Sequence, residues 1–238
     1  ARPVYEFVPE VLLTDSDGNV ARTAAFTMTE LEDLGLLKMD FLGLRNMGII
    51  NNSLNKLGIK EDDVPLNDPY VYAFISTGDT DGIFQIESGG MKSLMKDMFL
   101  DVPLKIKELE RKYGVKGFKQ AQKHPEAKKA FELFGTECFE RLIAAISLYR
   151  PGPMDYIPQY IAGMRNPKAI HYDTPKLKGL LEPTYGTIVY QEQVQQIVRD
   201  LAGYSLGRGD LIRRAMGKKK ADIMNKEREI FIHGNKAD

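Results

Sequence analysis

Several things are scarce in this chain, and each shortage narrows its chemistry. Its 238 residues include one cysteine, Cys138, which excludes an intrachain disulfide framework or a cysteine-built zinc cluster and suits a reducing cytoplasm. The three histidines, His124, His171 and His233, stand far apart and offer no metal-ligand spacing. No apolar run reaches the roughly 18 residues of a membrane-spanning helix, and no secretory-type apolar segment opens the chain, so no membrane partner is expected. There is no internal repeat, and no net charge: 33 Lys and Arg balance 33 Asp and Glu. Hydrophobic residues at 43% and charged residues at 28% are ordinary for globular protein, with enough length for one large domain or two modest ones.

The zero hides an asymmetry. Residues 1–100 hold 8 Lys and Arg against 16 Asp and Glu, whereas residues 101–238 hold 25 against 17. An acidic part joined to a basic part suits a protein that gathers cations at one end and polyanions at the other; it equally suits two domains that attract each other.

The basic charge concentrates in Gly207–Lys220, where Arg208, Arg213, Arg214, Lys218, Lys219 and Lys220 fall among three glycines. Asp210 is placed to cap a short helix that Ile212, Ala215 and Met216 anchor, and Gly217 to end it in a left-handed turn. Forked arginine donors and compact lysine charges suit phosphate oxygens. A solvated basic face is the competing reading of the same run.

A second stretch, Leu36–Leu44, reads with period two. Leu37, Met39 and Phe41 share one side of a strand, and Lys38 and Asp40 the other. A carboxylate there suits Mg²⁺, a hard cation that prefers oxygen ligands; an ordinary surface pair is the alternative. A helix from Gly43 to Leu57, stopped by Gly58, follows.

Elsewhere, β-forming runs on either side of Asp15–Asn19 predict a hairpin, with Pro9 pushing its first strand to an edge. Thr29 and Glu32 have capping-box spacing before a short helix that Gly35 ends. Glu61–Pro69 reads as a linker. Residues 104–134, rich in Lys, Glu and Ala, predict exposed helices joined at Gly114–Gly117. Cys138–Leu148 predicts a buried helix carrying Phe139, Leu142, Ile143 and Ile146. It stops at Pro151, which leaves Arg150 at a rigid corner, where it serves either as a helix cap or as a phosphate contact. Thr187–Tyr190 reads as a brief β run, and Val194, Ile197, Val198 and Leu201 mark an amphipathic helix ending at Gly203. The fold class is mainly α, with a small N-terminal β/α part.

Four long runs, LLKMDFLGLRNMGII (36–50), DGIFQIESGGMKSLM (81–95), LIAAISLYRPGPMDYIPQYIAG (142–163) and EPTYGTIVYQEQVQQIVRDLAGYSLGRGDLIRRAMGKKK (182–220), together resemble the C family of DNA polymerases, the alpha subunits of bacterial polymerase III. The resemblance spans about residues 1–234. It implies a palm remnant over 1–68 and a helical fingers domain over 69–238, with an insertion near 99–137. It also implies template-directed addition of deoxynucleotides to a primer 3′ end by two-metal nucleotidyl transfer. On that likeness Asp40 is a catalytic Mg²⁺ ligand, and Lys38, Arg150, Arg213 and Arg214 contact the incoming nucleotide. Arg208, Lys218, Lys219 and Lys220 contact DNA. The implied partners are primer-template DNA, deoxynucleoside triphosphates and replisome subunits. The family's other two palm aspartates form an Asp-x-Asp pair upstream, and Asp15-Ser16-Asp17 lacks its apolar flanks, so this segment is expected to be inactive alone. A stand-alone helical nucleic-acid-binding module is the alternative; against it, only Tyr204 lies near the basic run as a platform for base stacking.

Overall fold

The computed structural model describes residues 2–14, 16, 18–37, 39, 45–217 and 219–233. The chain divides into two compact units, residues 1–59 and 60–238.

In the first unit, β1 (Glu10–Thr14) pairs antiparallel with β2 (Val20–Ala24), Glu10 opposite Ala24 and Thr14 opposite Val20. This is the expected hairpin, with Pro9 just outside β1, where its missing N–H costs no ladder bond. Helix α1 (Met28–Asp33) begins two residues earlier than the Thr29–Glu32 spacing suggests. Its cap is Thr27, whose amide and hydroxyl donate to the Glu30 carboxylate at 2.7 and 2.9 Å. Gly35 ends it at φ +78°. Leu36, Leu37 and Met39 form no strand, and Leu37 and Met39 are largely exposed rather than forming a buried underside. The hairpin is the only sheet among the described residues, and an extended segment without a neighbour has no ladder to join. Lys38, Asp40 and residues 41–44 lie outside the described residues. Helix α2 (Arg45–Leu57) follows and stops at Gly58. Val8 is the one buried residue described in this unit, while Met47, Ile50 and Leu57 of α2 are exposed.

The second unit is helical: α3 (Pro69–Ile75), α4 (Gly89–Met98), α5 (Val102–Tyr113), α6 (Phe118–Ala121), α7 (Pro125–Leu148), α8 (Ile157–Arg165), α9 (Pro175–Leu181), α10 (Gln191–Ala202), α11 (Leu206–Gly217) and α12 (Ala221–His233). Its main core surrounds α7, a 24-residue helix that begins thirteen positions before Cys138 and buries Ala127, Phe131, Phe134, Cys138, Ala145 and Leu148 along one stripe. Phe139, Leu142 and Ile146 pack only partly buried against that core. Tyr70 stacks on Phe131 and Tyr72 on Phe99, with ring centroids 6.1 and 5.8 Å apart. Gly135 allows this packing, since a Cβ there would collide with the backbone of Asn67.

The expectation of exposed helices over 104–134 is overturned. Ile106, Val115, Ala121, Ala127 and Phe131 are all buried in the main core. The joints at Gly114 and Gly117 are as expected, both at positive φ. Two small alanines and widely spaced apolar anchors bury a narrow stripe that the surrounding Lys and Glu conceal in the sequence.

Thr187–Tyr190 is likewise not a strand. The Val189 and Tyr190 amides, which a sheet would have bonded, donate to the Gln193 side-chain oxygen at 2.9 and 3.0 Å. A second cluster, Val198, Ala202, Tyr204 and Ile212 with Met224 and Ile230, ties α10, α11 and α12 together. None of the described helices is long and apolar enough to cross a membrane.

Candidate phosphate site on the basic helix

Helix α11 starts at Leu206, so Asp210 lies inside it rather than capping it. Ser205, one residue before the helix, takes the N-terminal position; its hydroxyl accepts from the Arg208 amide at 3.4 Å. Gly217 has no left-handed backbone. That conformation falls on Lys219, at φ +51°. The Lys219 and Lys220 amides bond back to the Met216 and Ala215 carbonyls at 3.1 and 2.9 Å, the paired closure of a Schellman end. Ile212 and Ala215 are buried as expected, whereas Met216 is exposed.

Mid-helix, Asp210 organises the cations instead. Its Oδ1 accepts from Arg213 Nε at 2.8 Å and its Oδ2 pairs with Arg214 Nε at 2.7 Å. Gln195 on α10 donates to the same carboxylate at 3.1 Å, and Arg213 Nη1 donates to Gln191 of α10 at 2.9 Å. The bonds from Arg213, then the charges of both arginines, hold the Asp210 carboxyl below its ordinary range. One acid against two guanidiniums leaves a net positive group.

The other sequence candidates separate. Arg208 is only partly exposed; it grips Glu227 of α12 through Nε and Nη2 at 3.0 and 3.2 Å and lies 5.0 Å over the Tyr204 ring. Lys219 and Lys220 are exposed, with no ion pair among the described residues. Arg150 is exposed at the turn after α7; its amide bonds the Leu148 carbonyl at 2.8 Å, and its side chain makes no polar contact among the described residues. Lys38, Asp40 and Lys218 lie outside the described residues. Among those described, no group of three or more His, Cys, Asp and Glu side chains gathers as a metal site. A cavity of about 350 Å³ opens beside α11, lined by Gly207, Asp210, Leu211, Arg214, Lys220 and Ile223.

Sequence reasoning missed a buried charge as well. Arg141, 5% exposed, forks onto Asp101 at 2.7 and 3.2 Å and bonds Glu137 at 2.7 Å. Burial alone would lower its pKa, but the bonds and charges of Asp101 and Glu137 reverse the direction and hold it charged. The Glu137–Arg141 spacing of one turn was a visible signal; Asp101, forty residues away, was not.

Asp210 thus holds an arginine pair on α11 beside a cavity that Lys220 also lines. Residues 45–111 and 124–238 match the family model of the bacterial DNA polymerase III alpha subunit finger domain, and the chain belongs to that family. It is 40% identical over 240 residues to DNA polymerase III subunit alpha of Staphylococcus aureus strain MRSA252, covering 98% of this chain and 19% of the relative. The corresponding subunit of Staphylococcus epidermidis strain ATCC 12228 is 38% identical over 243 residues, covering 99% and 19%. The chain thus spans about a fifth of the length of the curated relatives it matches.

Proposed function

We propose that this chain is the fingers portion, with the end of the palm, of a bacterial replicative DNA polymerase, and that α11 holds the triphosphate of the incoming deoxynucleotide. The observation that carries the reading is the net positive Asp210–Arg213–Arg214 group beside the cavity that Lys220 also lines, within a chain of the polymerase finger family. Guanidinium and ammonium donors there would neutralise charge as pyrophosphate departs.

Residues 1–68 are assigned to the palm and 69–238 to the fingers, with an insertion near 99–137. Divalent-metal use, with Mg²⁺ as the ion, is assigned to the whole polymerase through its family. Asp40 is assigned one carboxylate of that site, too few for a metal pair, and Lys38 a phosphate contact. Lys218, Lys219, Lys220 and Arg150 remain candidate DNA or nucleotide contacts. Arg208 is left out, because its guanidinium is committed to Glu227. Primer-template DNA, replisome subunits and a cytoplasmic location belong to the same reading.

The test is steady-state primer extension by an intact alpha subunit carrying Arg213→Ala and Arg214→Ala together. The KM for deoxynucleotide should rise at least about tenfold, the loss of one charge-assisted phosphate bond, while the Kd for primer-template changes little. Equal losses in both would count against the role. Loss of template binding alone, with a reduced salt slope, would favour a backbone-binding module.

A further inference from the structure

Resting on the triphosphate reading, we propose that the adjacent arginines of α11 have different tasks: Arg214 contacts phosphate, Arg213 is a positioning residue, and Asp210 couples the two. Neighbouring residues on a helix point about 100° apart, so Arg213 and Arg214 cannot serve one target equally. Arg213 shares its face with Gly209 one turn earlier. A Cβ at Gly209 would lie 3.4 Å from Val198 and 3.5 Å from Gln195, so this face of α11 is pressed against α10.

There every nitrogen of Arg213 is engaged: Nε and Nη2 lie 2.8 Å from Asp210 Oδ1, and Nη1 donates to Gln191 at 2.9 Å. Its side chain is 27% exposed. Arg214 falls on the Gly207–Leu211 face, which lines the 350 Å³ cavity together with Lys220 and Ile223. It gives Asp210 only Nε, at 2.7 Å, and its side chain is 67% exposed. Both terminal nitrogens, the fork that matches a phosphate, are therefore open among the described residues.

Asp210 joins the two tasks. Anchored to α10 through Gln195 at 3.1 Å, it fixes Nε of Arg214 and so restricts where the free fork reaches. Arg213 offsets the acid's charge, which leaves the charges of Arg214 and Lys220 uncancelled at the cavity. An arginine held at Nε also has less rotamer freedom to lose when phosphate arrives.

The experiment compares four single variants and one double variant of the intact alpha subunit by thermal melting and by kinetics with a single deoxynucleotide. Arg214→Ala should raise the KM for deoxynucleotide about tenfold with an unchanged melting temperature, and Arg214→Lys should recover only part of it, since an ammonium lacks the fork. Arg213→Ala should lower the melting temperature and raise KM less. Gln191→Ala should lower the melting temperature too, and adding it to Arg213→Ala should lower it little further, because the two share one bond. Equal KM increases in Arg213→Ala and Arg214→Ala at unchanged melting temperature would overturn the division of labour while leaving the triphosphate reading intact. No KM change in either variant would overturn both.

Discussion

Deleting the same contacts from opposite sides should cost very different amounts at Arg141. Its guanidinium is 5% exposed, whereas its partners Asp101 and Glu137 are 53% and 47% exposed. Truncating both partners (Asp101→Ala with Glu137→Ala) strands a buried cation. Its remaining contacts would be the Met98 carbonyl at 3.4 Å and the Tyr185 hydroxyl, and Nε already has no partner. Breaking a buried pair in this way costs about 3–5 kcal/mol. Arg141→Met instead removes the buried charge, keeps most of the alkyl volume, and lets two half-exposed carboxylates rehydrate in place. Lost charge-assisted bonds are then largely offset by the desolvation no longer incurred, for a net cost of about 0–2 kcal/mol. Urea unfolding followed by circular dichroism, with the slope unchanged between variants, measures both. Tyr185→Phe controls for the 3.3 Å bond from Tyr185 to Glu137. If Arg141→Met proved the costlier change, the reasoning about which group is expensive to leave unpaired would be wrong.

Other outcomes follow from the fold. Gly135→Ala should destabilise the helical unit by about 1–3 kcal/mol, because the new methyl meets Asn67 backbone rather than a movable side chain; a neutral result would contradict the α7 packing. Burial pushes the Cys138 thiol up to about 12, so alkylation at pH 8 should be slow until denaturant is added, and prompt labelling would contradict that burial. The Glu110 carboxyl, accepting from the Gly117 amide at 2.8 Å and Tyr70 at 2.7 Å, sits below its ordinary pKa. Folding therefore opposes its protonation, and its contribution, complete above the unfolded pKa, is lost as pH falls through the folded one. An NMR titration should find the folded midpoint below that of a model peptide, and Glu110→Gln should flatten this part of the acid dependence. The purified chain alone should not extend a primer; incorporation by it would contradict the assignment of Asp40 as one carboxylate of a larger set.

Much of the helical punctuation was legible. Gly35, Gly58, Gly114 and Gly203 end helices at positive φ where the sequence placed them, because a left-handed residue without Cβ costs least there. The α10 stripe was equally plain. What failed depended on competition between neighbours. Thr27 displaced Thr29 as cap: both pairs share the spacing, and the helix starts at Met28. Asp210 looked like a cap, but the helix began at Leu206 and the acid's i+3 and i+4 arginines absorbed it. The β run at 187–190 was lost to the Gln193 side chain, and the burial of 104–134 to packing that no local window contains. At the site, the residue types of α11 were readable from sequence, but which arginine faces the cavity depended on where the helix started.

Hydrogen exchange in an intact alpha subunit bound to a chain-terminated primer-template tests the central claim most directly. Adding the next correct deoxynucleoside triphosphate should bring new protection to the amides of residues 206–220, beyond that produced by DNA alone. Protection that is complete with DNA and unchanged by nucleotide would contradict a triphosphate role for α11.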